Sequence, residues 1–194
     1  LSSQGIKTYN IPLKNRAALK LSMGITVVLL FFILSQVLKL YLSDSWERRA
    51  ESLSAGRQLI AYSNATMAHP TNNPYLLANF ANAIALYLTD IEDNQKAQEL
   101  ASQADYLAQS AIAVSPNNYL VNQKAAKTYL LIFPYNDLYR QKAQELGQKL
   151  TILAPTYPIS YLTYAKILVL DDKNEEAMVQ VKKALNLKPD YLEA

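Results

Sequence analysis

Apolar residues fill the chain from Leu21 to Leu38, LSMGITVVLLFFILSQVL, and no charge interrupts the run. Its length reaches the ~18 residues expected of a membrane-crossing helix, and the ammonium of Lys39 can reach back to the headgroups. That extends the span to Leu42. A buried core helix would carry a polar stripe, and Ser22, Thr26, Ser35 and Gln36 are too few to make one. A signal peptide needs a shorter apolar region and a small-residue cleavage site, and Gln36-Val37-Leu38-Lys39 offers none. Residues 21–42 therefore read as a transmembrane helix in contact with membrane lipid. Before it, residues 1–20 are polar, basic and broken by Pro12, and read as a loop. After it, from 43 to 69, Trp46, Ala50, Leu53, Arg57, Ile60, Ala61, Asn64 and Ala68 recur at three- and four-residue steps. This is the pattern of an amphipathic connecting helix.

From residue 70 to 194 the pattern becomes periodic. Four boundaries share one form, a helix end, a proline, a polar turn and a tyrosine opening the next helix: AHPTNNPYLL, SPNNYLVN, APTYPISYL and KPDYLEA. The prolines Pro70, Pro116, Pro155 and Pro189 are separated by 46, 39 and 34 residues. Between them the expectation is about three pairs of helices. Ala83, Tyr87, Ala104, Ala108 and Ala111 mark the first pair, and Ala126, Tyr129 and Ala143 the second, with extra turn residues around Phe133–Asp137. In the third, small residues at Ala165, Ala177 and Ala184 allow two helices to approach, while Tyr161, Leu168 and Val181 fill the space between them. Pro189 ends the second helix because it lacks the donor for another turn.

The stretch Pro158–Pro189 resembles a tetratricopeptide repeat (TPR), and the 34-residue interval from Pro155 to Pro189 is that motif's period. The resemblance implies an all-α fold: one transmembrane helix followed by an α-solenoid of TPR-like helix pairs, with an inner and an outer surface. In the repeat frame Tyr191, Leu192, Glu193 and Ala194 open a further repeat, so a chain cut at both ends is expected.

Charge and composition narrow the function. The net charge of +3 conceals an asymmetry, because residues 1–43 carry five basic and no acidic residues, and the rest fourteen basic against sixteen acidic. The solenoid is thus slightly acidic, which argues against a nucleic-acid partner. The basic residues before the span favour a cytoplasmic N-terminal side and place the solenoid outside the cytoplasm. With no cysteine there is no disulfide or thiolate chemistry.

No catalytic, cofactor-binding or metal-binding residue is expected. The single histidine, His69, stands in a turn beside Pro70 with no cluster of acids. Asp171-Asp172 and Glu175-Glu176 lack the spacing of a calcium loop and read as a solvated turn. Glycines 5, 24, 56 and 147 are scattered and make no phosphate-cradling loop. Asn64-Ala65-Thr66 fits a glycosylation acceptor but falls within a predicted helix. What the repeat frame offers instead is a concave binding face: Gln123, Lys127 and Leu130 from the second unit, and Leu162, Lys166 and Val169 from the third. Two lysines beside an apolar strip suit a protein or peptide partner bearing a carboxylate.

The order of basic flank Lys14–Lys20, span Leu21–Leu38, a helix with Tyr62, and the entry Pro70-x-x-x-Pro74-Tyr75 resembles the C-terminal end of O-antigen ligase or polymerase-like membrane proteins. That resemblance implies an accessory region whose catalytic core lies elsewhere in a glycan-transferring enzyme. The alternative is a single-span scaffold for secretion or envelope assembly with no link to glycans.

Overall fold

The computed structural model describes residues 13–69 and 72–190, with the side chains of 13–19 and of Ala55 not described. The chain is all-α. Its first helix, α1 (Leu13–Ala50), runs unbroken for 38 residues, and α2 (Ala55–Ala68) folds back on it. Then come α3 (Pro74–Tyr87), α4 (Asn94–Val114), α5 (Tyr119–Ile132), α6 (Asp137–Leu153), α7 (Pro158–Leu170) and α8 (Asn174–Leu187). Short 3-10 turns at Leu88–Asp90 and Phe133–Tyr135 join α3 to α4 and α5 to α6.

Two boundaries differ from the sequence expectation. The basic flank is not a loop throughout, because the helix begins at Leu13. Pro12 is tolerated just ahead of a helix, and LKNRAALK that follows contains no glycine or proline to stop it. The rest of that loop, 1–12, lies outside the described residues. The connecting helix of 43–69 is in fact two helices. Its amphipathic pattern continues through 51–54, but the backbone turns there: Ser52 and Leu53 N–H donate to the Arg49 and Ala50 carbonyls at 3.2 and 3.1 Å. Serines at 52 and 54 and Gly56 make this the weakest helical stretch of the region. Ser43, Trp46 and Ala50 at the end of α1 consequently pack against α2, and the buried Ser43 hydroxyl donates to the Ala65 carbonyl at 2.9 Å.

The remaining helices stack as antiparallel pairs, α3 with α4, α5 with α6 and α7 with α8. Asparagine or aspartate side chains cap α3, α4, α5 and α6 from Asn73, Asp93, Asn118 and Asn136. Small residues make the pairs close. Ala97, Ala101, Ala104, Ala108 and Ala111 form one buried stripe along α4 at three- and four-residue steps, and Tyr129, Ile132, Leu146 and Leu150 fill the space it leaves. The first helices of successive pairs also touch, α3 on α5 and α5 on α7. They form one layer of the solenoid, and α4, α6 and α8 form the other.

The apolar stretch of α1 packs against none of the described residues of other elements. From Lys20 onward the helix is long and apolar enough to cross a membrane, and no residue of its most apolar window is buried.

Candidate functional site

The face formed by α5 and α7 carries the six residues that the repeat frame singles out. On α5, Gln123, Lys127 and Leu130 follow a four- and a three-residue step, and on α7 Leu162, Lys166 and Val169 do the same. Each set therefore lies along one side of its helix. The two sides do not contribute equally.

An apolar cleft of about 430 Å³ opens between the helices, lined by Leu130, Leu162, Ala165, Lys166, Val169, Leu170 and Val181. Four of the six residues thus meet at one place. Leu162 is buried and forms part of the floor, Val169 and Leu170 stand half in solvent at the rim, and Lys166 supplies the exposed cation. Lys127 is exposed but is not among the lining residues. Its positive charge acts on Lys124, whose pKa is lowered mainly by burial and secondarily by Lys127, against an opposing pull from Glu51. Gln123 is half-buried and turned toward its own helix, its amide donating to the Tyr119 hydroxyl at 3.3 Å. The sequence frame passed over Ala165, Leu170 and Val181 as lining residues. Val181 belongs to α8, and only the closeness of α7 and α8 brings it to the cleft.

The floor is held in place from both sides. Ala165, Leu168 and Ala177 form a buried cluster between α7 and α8, with Tyr164 and Val181 against it. At the end of α7, Asp171 gathers Lys173 at 2.7 Å, the Gln144 amide at 2.5 Å and Arg140 at 3.8 Å. This ties the α7–α8 turn back to α6. The hydrogen bond from Lys173 to Asp171 is also the main reason that the lysine's pKa is raised.

Elsewhere the chain offers little chemistry. Among the described residues no group of three histidine, cysteine, aspartate or glutamate side chains stands together as a metal site. His69 closes α2, its backbone N–H donating to the Ala65 carbonyl at 3.0 Å. Asn64-Ala65-Thr66 lies inside α2, with the Thr66 hydroxyl donating to the Tyr62 and Ser63 carbonyls.

No family model matches the chain, and no curated protein matches it. Among solved structures it is similar to MamA 41-end from Desulfovibrio magneticus RS-1, over 79% of this chain and 97% of that one. The identity is 17% and the TM-score 0.38. At that score the likeness carries no weight of its own. The fold rests on the order and packing of the helices: a long apolar helix, then TPR-like helix pairs stacked as a solenoid.

Proposed function

We propose that this chain is a membrane-anchored, TPR-like interaction module that holds a protein or peptide partner in the cleft between α5 and α7. The observation that carries the proposal is the cleft itself, with Leu130, Leu162, Val169 and Leu170 around an apolar interior and Lys166 at its rim. Such a lining suits a short apolar side chain followed by a carboxylate. The apolar part supplies area-dependent affinity, and the lysine sets orientation through a charge-assisted hydrogen bond. Lys127 is the second cation of this face and, lying outside the cleft lining, contributes a salt-sensitive attraction.

A peptide array probed with the wild type, with Lys166→Ala, Lys127→Ala and Val169→Asp, and with the double variant Lys127→Ala/Lys166→Ala tests the assignment. Binding lost with Lys166→Ala or Val169→Asp at moderate salt, and kept with Lys127→Ala, supports the cleft. A ligand that only the double lysine variant loses, and only at low salt, indicates a diffuse basic surface instead.

Two finer readings belong to the same proposal. The exposed apolar face of α1 supports a membrane anchor, and the basic residues ahead of it favour a solenoid outside the cytoplasm. The order of span, helical hairpin and repeats is also what a C-terminal accessory region of an O-antigen ligase-like protein would have. Sequence encoded upstream of Leu1 tests that parentage: a series of further apolar spans supports a ligase-like parent, and a nearby start codon leaves a single-span scaffold.

A further inference from the structure

We infer that the edge of the solenoid formed by its inter-repeat loops rests on the bilayer, with Met67, Tyr75, Val114 and Leu120 entering the lipid interface. The inference rests on the membrane-anchor reading of α1, and three observations lead from it to the edge. The first is rigid geometry. Leu21–Leu42 spans about 33 Å of helix, enough for the hydrocarbon core, and α1 continues without a break into the packed region. Ser43, the next residue after the span, bonds to Ala65 near the end of α2. The end of α2 is therefore level with the bilayer surface. Helix α3 turns back after it and rises beside α1, where the Asn79 amide donates to Glu47 at 3.1 Å. At its base, Tyr75 accepts a 2.6 Å hydrogen bond from the Asn118 side chain at the start of α5. The second inter-repeat loop thus lies beside the first, at the same edge.

The second observation is what this edge displays. Met67 is 81% exposed and Leu120 57%, and Tyr75 and Val114 are also exposed. Each lies within a turn of a helix end, and since Leu138 and Leu170 are comparably exposed at the opposite edge, it is the geometry of α1 that selects this one. Tyrosine in particular suits a boundary between hydrocarbon and water.

The third is charge. The segments 66–76 and 113–121, the two nearest the span, contain no acidic residue, and Asp190 follows α8 farther along the same edge. The opposite edge, made by the turns within each pair, carries Glu51, then Asp90, Glu92 and Asp93, then Asp137, then Asp171 and Asp172. Helix dipoles do not account for the difference, because helices begin at both edges. The caps differ less than the edges do: on the acidic edge Asp93 caps α4 and Asn136 caps α6, and on the other Asn73 and Asn118 cap α3 and α5. Two loops free of acid are what a bilayer with anionic lipid tolerates. Near this level Asp44 is paired with Arg48. Successive repeats of a solenoid rotate, so the contact is assigned only to the two loops nearest the span.

The absence of native cysteine makes the test direct. The full chain is reconstituted into vesicles of phosphatidylcholine and phosphatidylglycerol with one nitroxide label, at Met67→Cys, Leu120→Cys, Glu92→Cys or Phe31→Cys. Accessibility to oxygen and to a water-soluble nickel chelate reports depth. The expected order is deepest at Phe31, interfacial at Met67 and Leu120, and water-like at Glu92. Labels at 67 and 120 as water-exposed as that at 92, with 31 still in hydrocarbon, overturn the edge contact and leave the anchor standing. A water-like label at 31 overturns the anchor and the edge contact together.

Discussion

A methyl group on Gly147 of α6 would stand 2.6 Å from the Tyr164 ring and 2.9 Å from the Ile167 side chain of α7. The missing side chain is what lets these helices approach beneath the cleft. Helix propensity alone favours Gly147→Ala by up to ~1 kcal/mol, and overpacking opposes it by ~1–3 kcal/mol. Ile167 is fully buried, so it can move aside only by displacing its neighbours. The alanine variant is therefore expected to melt below the wild type. A higher melting temperature would show that propensity wins and that α6 and α7 yield easily.

A polar network ties the preceding helices. One oxygen of Asp105 on α4 accepts from the Tyr129 hydroxyl of α5 and the Lys142 ammonium of α6, each at 2.6 Å, and Gln109 donates to the other oxygen at 2.7 Å. Burial, reinforced by the bond to Asp105, pushes the Tyr129 phenol upward and keeps it a neutral donor. Asp105→Ala leaves that donor without its acceptor and Lys142 without its counterion, at an expected cost of ~1–3 kcal/mol in urea unfolding. Tyr129→Phe added to it should cost less than Tyr129→Phe alone, because the bond is already gone. Strict additivity would mean that the two groups act independently.

Alkali should expose a second tyrosine. Burial, then the negative charges of Glu47 and Glu51, raise Tyr62 from 10.0 to about 12. Its contribution to stability is complete below pH ~10, where both states hold the proton. Above that the unfolded chain ionises first, so stability falls until the folded pKa is passed. Urea titrations across this range should show a shallower fall for Tyr62→Phe than for the wild type, and parallel behaviour below pH ~10. Identical slopes above it would mean that Tyr62 titrates as in the unfolded chain.

The parts of this structure that the sequence made legible are those set by local pattern. A charge-free apolar run gives the long exposed helix, and the recurring proline–tyrosine boundaries give the helix pairs. What it hid depends on side chains far apart in the chain. Asp105 and Lys142 are separated by 37 residues and neither stands out alone. Gly147 reads as an isolated glycine until Tyr164 is placed against it. The break at 51–54 went unseen because the apolar spacing continues across it, and only packing of the end of α1 on α2 requires the turn. Lys127 and Lys166 occupy equivalent repeat positions, yet only Lys166 lines the cleft, since α8 provides a wall there and α7 covers part of α5.

The spacing of small residues in the last pair makes a sharper demand. Ala165 and Ala184 are buried, whereas Lys182 and Lys183, next to Ala184 in sequence, are exposed. A leucine at 184 has no room and must push α8 away from its neighbours, at ~1–3 kcal/mol. Stability of that order is a large share of the total for a small domain. Lys182→Ala should leave the melting temperature unchanged. Lys183→Ala should lower it slightly, because its ammonium lies 5.8 Å from the centre of the Tyr161 ring, a contact worth ~0.5–1 kcal/mol at an exposed site. The expected order of destabilisation is Ala184→Leu, then Lys183→Ala, then Lys182→Ala, read by thermal melting of the full chain in one detergent. Three equal shifts would mean that α8 presents a different face to α7 than the alanine spacing demands.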